Sequence, residues 1–486
     1  MPEPESELLR VRHEKLQRLR DKGIDPYPHT FNRSHTSEEA ISLFETWETS
    51  NEGHKTEEIS VAGRIIRRSG MGKATFIGLQ DGVGQIQVMM RQNLLPDSYD
   101  TLSEIDIGDW IGCTGPMFRT RRGEITVEVG AWELLSKSLR FLPEKWHGLT
   151  DVELRYRQRY LDLISNDEAR RIAMMRSRLI SGLRRFMDNL GFMEVETPML
   201  VSIAAGGTAR PFSTYHNALG RDFYLRIATE LYLKRLIVGG MEKVYEIGRI
   251  FRNEGVDLTH NPEFTMMESY EAFADYNDVM EMVEQLVFTL ATDVLGKAAV
   301  EYEGNIIDFT PPWPRLNLHK EVVRSSGIDF LDSSGVESLR KEMSAIGLNV
   351  DRQVSWGGMM DKLISSKIEP HLIQPCFLVD YPVEMSPLAK KKRGEPRLVE
   401  RFEAFAGGME ICNAFTELND PIDQRSRLEQ QESLHVEFQE EDMDRLDEDF
   451  LVAVEHGMPP TGGLGMGIDR LAMLFSGQRN IKEVVL

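Results

Sequence analysis

The chain has 486 residues, a formal net charge of −21 and 41% hydrophobic residues, values typical of a soluble, acidic protein with two or more domains. No apolar run approaches the roughly 18 residues of a membrane span. The charged start MPEPESELLRVRHEK argues against a signal peptide. Three widely spaced cysteines, Cys113, Cys376 and Cys412, argue against a disulfide framework or a cysteine zinc site and fit a reducing cytoplasm.

The first predicted element is an amphipathic helix, LLRVRHEKLQRLRDKG, over residues 8–23. Its leucines and valine share one face, and its arginines and lysines share the other. The acidic total argues against nucleic acid, because phosphate contacts need Lys and Arg, but such a sum can hide a local basic patch. Two interpretations stay open: a patch for RNA, and a solvated helix that packs on a neighbour.

Residues 58–136 contain about five short alternating runs, which predict a five-stranded barrel of the oligonucleotide/oligosaccharide-binding (OB) type. Period two turns Ile86 and Val88 inward and Gln87 outward, with Phe76 on the wetter face. An aromatic ring beside an outward amide suits a splayed RNA base. The residues alone nevertheless favour the alternative, in which Phe76 packs under the N-terminal helix or a loop.

The rest of the chain predicts a larger α+β domain after a charged connector. A long helix, ARRIAMMRSRLISGLRRFMDNLG, ends at Gly191. Residues 276–297 and 333–347 are predicted helices, and strands return from Cys376. The predicted organisation is a helical extension (1–57), an OB domain (58–136), a connector (137–168) and a catalytic domain (169–486) with a helical insertion around 276–375.

The stretch FRNEGVDLTHNPEF places an arginine, a carboxylate and aromatic side chains around a polar loop. In an antiparallel hairpin, period two puts Arg252 and Glu254 on one face. The returning strand places Phe264, Glu268 and Tyr270 together, so both sets can line one cavity. Arginine grips phosphate or carboxylate, and a phenylalanine ring can stack on a purine. The set predicts an adenine-nucleotide site; the alternative is a surface hairpin with ordinary ion pairs.

The tail GGLGMGIDRLAMLFSG carries closely spaced glycines. Too few residues follow Gly467 for a dinucleotide-binding fold. The glycines instead let backbone approach a ligand, with Asp469 and Arg470 at the start of the last long helix. Arg470 can then stack on a base that rests on Phe264.

The stretch RFEAFAGGMEICNAFTELND supplies further carboxylates. Glu403 and Glu410, near a phosphate site, are suitable magnesium ligands, because this ion favours carboxylate and phosphate oxygens. Period two puts Asn413 and Glu417 on one pocket face. Solvent-exposed carboxylates on a sheet are the alternative, and the apolar residues that flank both glutamates weaken it.

Together these stretches resemble the bacterial type of class II lysyl-tRNA synthetases over essentially the whole chain. The helix from Ala169 to Gly191, with the strand that contains Pro198, resembles motif 1, which builds the dimer interface in that family. FRNEGVDLTHNPEFTMMESYEAFADY resembles motif 2, and GLGMGIDR resembles motif 3. AGGTARPF, YLRIATELYLKRL, YPVEMSPLAK and FTELNDPIDQR resemble lysine-specific blocks. The resemblance implies an antiparallel catalytic sheet flanked by helices.

The resemblance also implies residue roles. The implied ATP-binding residues are Arg252, Glu254, His260, Asn261, Phe264 and Arg470, and the implied catalytic residues among them are Arg252, Glu254 and Arg470. The implied lysine-binding residues are Gly206, Glu230, Arg252, Glu268, Tyr270, Asn413, Phe415 and Glu417. Glu403 and Glu410 match the magnesium ligands. Phe76 and Gln87 match an anticodon-reading pair with Arg68 nearby, which overturns the packing interpretation of Phe76.

Three departures from the family pattern stand out. Thr229 occupies a position where the family usually has proline. RRSGMGK is one residue longer than in some relatives, so the choice between Arg67 and Arg68 stays open. The chain stops at EVVL, where relatives often continue by a couple of residues.

The expected reaction is formation of lysyl-adenylate from L-lysine and ATP with magnesium, followed by lysyl transfer to tRNA(Lys). A cytoplasmic homodimer is expected, without membrane contact. An aspartate pocket would need a cation where Glu268 and Glu417 lie, so an aspartate- or asparagine-type synthetase is the weaker expectation. A lysyl transferase acting on protein and an RNA-binding protein with an inactive catalytic domain remain as alternatives.

Overall fold

The computed structural model describes residues 7–51, 54–143, 151–207, 209–332, 335–350, 355–437 and 446–486. The chain divides into two compact units, Met1–Asn166 (unit 1) and Asp167–Leu486 (unit 2). Within the described ranges, no helix is both long enough and apolar enough to cross a membrane.

Unit 1 contains a β-barrel. Its strands are β1 (Glu58–Met71), β2 (Ala74–Gln80), β3 (Gln85–Arg91), β4 (Trp110–Arg119), β5 (Ile125–Val129) and β6 (Ala131–Ser136). Among the described residues, five strands close a ring in the order β1-β2-β3-β5-β4, since β1 also pairs with β4, and β6 extends the sheet beside β4. β3 and β5 run parallel. The predicted five-stranded OB-type barrel is confirmed, with its last predicted run split into β5 and β6.

The N-terminal helix of unit 1 packs on this barrel. The helices are α1 (Glu7–Asp21), α2 (Ser37–Glu48), α3 (Val152–Arg157) and α4 (Arg159–Ser165), with a 3₁₀ turn at Tyr99–Glu104. α1 buries Leu19 in the barrel core. Lys15 pairs with Asp106 at 2.6 Å. Arg18 pairs with Glu104 at 3.0 Å. Carboxylates of the same unit therefore neutralise part of the basic face of α1.

Unit 2 is built on a large mixed sheet. Its strands are β7 (Met193–Glu194), β8 (Leu200–Val201), β9 (Ser213–His216), β10 (Arg221–Leu225), β11 (Lys243–Phe251), β12 (Glu263–Ala272), β13 (Ala299–Tyr302), β14 (Asn305–Asp308), β15 (Arg315–Asn317), β16 (Cys376–Pro382), β17 (Lys391–Lys392), β18 (Glu395–Ala406), β19 (Met409–Thr416) and β20 (Thr461–Gly467). The main sheet has the order β15-β16-β18-β19-β20-β12-β11-β7, with β17 on β18. Its central pairs are antiparallel, and the edge strands β7 and β15 run parallel to their neighbours.

Helices flank both faces of this sheet. They are α5 (Asp167–Asn189), α6 (Glu230–Val238), α7 (Tyr276–Leu295), α8 (Leu318–Ser326), α9 (Val336–Ala345), α10 (Trp356–Lys367), α11 (Pro421–Glu437), α12 (Glu448–Glu455), α13 (Ile468–Ser476) and α14 (Ile481–Val484). Met267, Met466 and Ala414 point into the core that the strands form with α5, α7 and α13. Because strand side chains alternate, Glu268 and Asn413 point to the opposite face, which carries the cavity described below.

A second core is built mainly from the stretch 276–375 that is predicted to contain a helical insertion, whereas α7 of the same stretch packs in the main core. Leu339 of α9 and Met359 and Leu363 of α10 pack with Leu378 of β16, and all four are fully buried. α7 and α9 confirm, for the described residues, the helices predicted over 276–297 and 333–347. Helices α8, α9 and α10 therefore form a layer beside one edge of the main sheet.

Candidate active site

A cavity of about 500 Å³ opens within unit 2 on the sheet face opposite α5, α7 and α13. Its lining brings together all the residues that the sequence connected with ATP, lysine or magnesium. They are Gly206, Glu230, Arg252, Glu254, His260, Asn261, Phe264, Glu268, Tyr270, Glu403, Glu410, Asn413, Phe415, Glu417 and Arg470. Loops, strands and two helices that are distant in the sequence therefore contribute to a single concave surface.

Glycines of β20 make room in this cavity for side chains from the neighbouring strands. Gly463 lies opposite Tyr270 of β12, and Gly465 lies opposite Glu268. A Cβ atom at position 463 would lie 1.8 Å from Glu417 Oε1. Glycine at position 463 therefore leaves room for the Glu417 carboxylate beside β20.

Three buried glutamates, Glu230, Glu268 and Glu417, form one end of the cavity, the acidic pocket. Lys234, one turn after Glu230 in α6, places Nζ 2.6 Å from Glu230 Oε1 and 2.5 Å from Glu417 Oε2. Burial and repulsion from Glu230 raise the pKa of Glu268 to about 7. Burial also raises the pKa of Glu417, against the opposing effect of Lys234. The pocket thus holds more carboxylates than its single ammonium neutralises.

Glu268 is held by hydrogen bonds at both oxygens. The Thr229 backbone N–H, at the start of α6, donates to Oε1 at 3.0 Å. The Tyr270 hydroxyl donates to Oε2 at 3.3 Å. Burial and the nearby charge of Glu230 raise the pKa of the Tyr270 hydroxyl, so Tyr270 remains a donor. The Glu268 carboxylate is therefore oriented before any ligand binds.

The other end of the cavity carries the arginine and the aromatic ring. Here the predicted hairpin faces need correction: β11 ends at Phe251, so Arg252 and Glu254 lie in the loop beyond it, where period two does not apply. The Arg252 guanidinium lies 5.3 Å from the centroid of the Phe264 ring. Its Nε donates to the Ile227 carbonyl at 3.3 Å. The loop still turns Arg252 and Glu254 into the cavity.

Arg470, in the first turn of α13, connects two parts of this end. It donates to the Glu410 carbonyl at 3.0 Å and to Glu410 Oε2 at 3.1 Å. It also donates to His260 Nε2 at 3.0 Å. Because arginine only donates, this nitrogen accepts, and His260 Nδ1 carries the proton that faces Asp257 Oδ2 at 2.8 Å. Asn261 follows His260 in the same loop and also lines the cavity.

Glu403 and Glu410 lie near each other at this end. Glu403 Oε1 is 2.6 Å from Arg401, and Oε2 accepts from the Tyr381 hydroxyl at 2.7 Å. Burial raises the pKa of Glu403 to about 7, with Arg401 opposing and Glu410 adding to the shift. In the described stretches, no cluster of three or more His, Cys, Asp or Glu side chains could hold a metal ion by itself. Two mutually repelling carboxylates fit a magnesium ion whose other ligands are phosphate oxygens and water.

Three residues near the ligand groups had no role assigned from the sequence. Lys234 pairs with two pocket glutamates, and its spacing of four from Glu230 on a helix was an available signal. Arg401 donates to Asn413 Oδ1 at 3.0 Å as well as to Glu403, so it connects the two ends of the cavity. Thr229 acts through its backbone N–H, a contact that side-chain patterns cannot predict.

The barrel of unit 1 carries the predicted base-reading pair. Ile77 and Val88 are fully buried, whereas their neighbours Phe76 and Gln87 are half-buried on the outer face, as the alternation predicted. Gln87 Nε2 donates to Thr126 Oγ1 at 2.9 Å. The ring and the amide therefore share one exposed side of the barrel.

The two candidate arginines beside this pair point differently. Gly78 lies opposite both Gln87 and Arg67. A Cβ atom at position 78 would lie 2.4 Å from Arg67 Cγ, so the Arg67 side chain covers Gly78 on the outer face. Arg68 instead donates to the Ile105 carbonyl at 2.9 Å. The geometry favours Arg67 over the predicted Arg68 as the arginine beside Gln87.

Comparison with protein families supports the division into a barrel and a catalytic unit. A family model described as tRNA synthetases class II (D, K and N) matches residues 151–486. A second model, described as OB-fold nucleic acid binding domain, matches residues 59–135. The first match covers unit 2 and the helices α3 and α4, which precede it in the chain. The second match covers the barrel of unit 1.

Comparison with individual proteins indicates one family within the class II tRNA synthetases. The lysine–tRNA ligase of Dehalococcoides mccartyi (strain CBDB1) is 52% identical over 484 residues, 99% of this chain and 97% of the relative. That of Pelotomaculum thermopropionicum is 53% identical over 485 residues, covering 99% and 94%. That of Bacillus subtilis is 48% identical over 479 residues, covering 98% and 96%. The chain therefore belongs to the lysine–tRNA ligase family of the class II tRNA synthetases.

Proposed function

We propose that this chain activates L-lysine with ATP and transfers the lysyl group to the 3′ end of tRNA(Lys). The observation that carries the proposal is the cavity itself, which joins an acidic pocket to an arginine and an aromatic ring. Family membership and near-full-length similarity to lysine–tRNA ligases support the same reaction.

The acidic pocket suits the side chain of lysine. An ammonium group has three donors and no acceptor, so carboxylates and the oxygen of a tyrosine are its natural partners. Glu268 and Glu417 would receive the ε-ammonium with Tyr270, while Glu230 and the Gly206 backbone would receive the α-amino group. Asn413 and Phe415 would complete the walls of the pocket. An aspartate side chain would meet an excess of negative charge here, so this observation does not favour an aspartate- or asparagine-type enzyme.

The ATP end would bind a bent nucleotide. Phe264 and Arg470 would enclose the adenine ring, Glu254 would accept from its amine, and His260 and Asn261 would lie near the outer phosphates. Arg470 would first have to leave His260 and Glu410, its partners in this structure.

The first chemical step needs no nucleophilic side chain. A carboxylate oxygen of lysine attacks the α-phosphorus of ATP, the bond to the bridging oxygen breaks, and pyrophosphate leaves with that electron pair. Arg252 would hold the lysine carboxylate and the α-phosphate together and stabilise the negative charge that develops. In the second step a hydroxyl of the terminal ribose of tRNA attacks the lysyl carbonyl, and AMP leaves.

Magnesium is part of the proposal. Glu403 and Glu410 would hold it, because they form a repelling pair beside the phosphate end of the cavity. Bound there with ATP, the ion supplies positive charge for the phosphate oxygens. Arg401 keeps Glu403 oriented, and Tyr381 donates to its other oxygen.

Unit 1 would bind the anticodon of the tRNA. A base stacked on Phe76 could also bond to Gln87, and Arg67 would lie beside the base or its phosphate. We propose residues 58–136 as this OB domain, 137–168 as a connector and 169–486 as the catalytic domain, after the helical extension 1–57. The proposal includes a homodimer through the motif 1 region of α5 and a cytoplasmic location, which its three free cysteines fit.

Pyrophosphate exchange across the twenty amino acids tests the proposed function. We expect lysine, without RNA, to stimulate exchange between ATP and pyrophosphate far more than any other amino acid does. Preferential activation of another amino acid would contradict the acidic-pocket assignment. Charging of tRNA then separates this function from lysyl transfer to a protein, because only the first yields lysyl-tRNA.

A further inference from the structure

A lysine of the chain itself occupies part of the acidic pocket. The Lys234 side chain is fully buried, and Nζ contacts Glu230 at 2.6 Å and Glu417 at 2.5 Å. It also lies 5.9 Å from the centroid of the Tyr270 ring. Burying an ammonium is costly unless acceptors surround it, so a fully buried lysine has to be paired in this way.

We propose that Lys234 is a positioning residue that fixes Glu230 and Glu417 and matches the net charge of the acidic pocket to a doubly cationic amino acid. The inference rests on the proposed function, because it takes lysine as the substrate. Lys234 acts here through the two glutamates and contacts neither ATP nor the reacting atoms.

The charges of the pocket support this role. Glu230, Glu268 and Glu417 with Lys234 leave a formal charge of −2 when all four groups are ionised. L-Lysine brings two ammonium groups into the pocket, while its carboxylate goes to Arg252. The occupied pocket is then electrically balanced. Without Lys234, one buried carboxylate would lack a cation, which is costly in a site closed to water.

Lys234 also leaves defined acceptor sites for the substrate. Its ammonium forms an ion pair with Oε2 of Glu417 at 2.5 Å, whereas Oε1 lies against Gly463 and has neither an ion-pair nor a hydrogen-bond partner among the described residues. A buried carboxylate oxygen without a donor is costly, so Oε1 is suited to receive the ammonium of the ligand. Holding Oε2 therefore sets the direction from which Glu417 meets the substrate.

The ionisable groups around Lys234 should make lysine activation depend on pH in a measurable way. The groups that face Lys234 are Glu230 on its own helix, Glu417 after β19, and Tyr270 on β12, with Glu268 beside them. Burial alone lowers the pKa of Lys234, but the two contacting carboxylates outweigh it and the net shift is upward. Lys234 therefore stays charged and favours the ionised form of Glu417.

The experiment compares Lys234→Met with Lys234→Arg in lysine-dependent pyrophosphate exchange between pH 6 and pH 9. Loss of the cation removes the effect that opposes the raised pKa of Glu417, so the acidic limb of kcat/KM for lysine should move to higher pH by about one unit. At pH 7 the KM for lysine should rise roughly 100-fold, with the KM for ATP changed less than about twofold. Lys234→Arg keeps the charge, so its acidic limb should stay at the wild-type position.

A matched control is Lys243→Met, since Lys243 also pairs with a glutamate, Glu271, but on the outer part of β11 and away from the cavity. It should leave the profile unchanged. Wild-type lysine KM and profile in Lys234→Met would overturn this inference, whereas a wild-type enzyme without lysine-dependent exchange would overturn the proposed function. If circular dichroism shows that Lys234→Met does not fold, Lys234→Arg decides: an unmoved acidic limb supports the inference, and an alkaline shift of about one unit contradicts it.

Discussion

The two ends of the cavity contain similar charged side chains but differ in how far these side chains are exposed to solvent. In the acidic pocket the charged groups are nearly inaccessible: Lys234 is 0% exposed, Glu417 1% and Glu268 5%. At the nucleotide end the His260 side chain is 51% exposed, and Glu254 is exposed as well. The lysine end is therefore built before the ligand arrives, while the nucleotide end consists of groups that the ligand can still rearrange.

This difference shows where specificity is decided. Charges in a buried site interact more strongly than in water, and each one left unpaired is costly, so the acidic pocket can reject ligands that lack a matching ammonium. The exposed groups at the nucleotide end are screened by water, and under the proposed function they would exchange their present partners for ATP. The half-buried Arg470, bonded to His260 and Glu410, would make the same exchange.

Glu417→Gln should have the largest effect, because it removes a charge from the buried end. We expect the fold to persist, since Lys234 keeps Glu230 as a partner, and lysine activation to lose about 3–5 kcal/mol in kcat/KM. Lysine-dependent pyrophosphate exchange measures this loss. Glu271→Gln, at a more exposed Lys–Glu pair, is the matched control, and equal effects of both changes would contradict the comparison.

Tyr270→Phe should come next, because phenylalanine lacks the hydroxyl that donates to Glu268 Oε2. A hydrogen bond to a charged group is worth roughly 1.5–3 kcal/mol, and lysine binding should weaken by that amount. Isothermal titration calorimetry with lysine measures the loss. Tyr245→Phe is the matched control, since the Tyr245 hydroxyl donates to Asp188 Oδ1 at 2.8 Å and does not line the cavity, and equal weakening by both changes would contradict the role of the Glu268 contact.

Phe264→Ala should act on the nucleotide end alone. Loss of a stacking ring costs about 1–3 kcal/mol per base, which should appear as a higher KM for ATP. The affinity for lysine, measured without ATP, should stay within about twofold of wild type because the acidic pocket is formed without the ligand. A parallel loss of lysine affinity would show that the two ends are not independent.

The pH dependence of lysine binding should be the smallest effect. Burial raises the pKa of Glu268 to about 7, so this carboxyl is mostly protonated at pH 6 and mostly ionised at pH 8 in the free protein. Lysine binds the ionised form, so binding releases a proton below pH 7, and affinity rises with pH by about tenfold from 6 to 8. Calorimetry in buffers of different ionisation enthalpy detects the released proton. An affinity that falls as pH rises over this range would contradict the assignment.

Strand alternation predicted the positions of site residues that lie in strands, but not of those that lie in loops. Strand alternation placed Phe264, Glu268 and Tyr270 on one face of β12, and the structure agrees, because period two is fixed by strand geometry. The same logic failed for Arg252 and Glu254, since β11 ends one residue before the arginine. Arg252 and Glu254 reach the cavity through the loop after β11. Strand alternation does not determine the path of that loop.

The amino-acid sequence by itself determined the barrel, the helices predicted over 276–297 and 333–347, and the chemical types of the residues that line the cavity, because alternation and helical spacing are local properties of a chain. Only the tertiary structure decided that Lys234 lies between Glu230 and Glu417, that the Thr229 amide faces Glu268 and that Arg67 covers Gly78. These contacts join segments that are distant in the sequence or depend on backbone direction. Their energies arise from burial, which exists only once the sheet and helices have packed together.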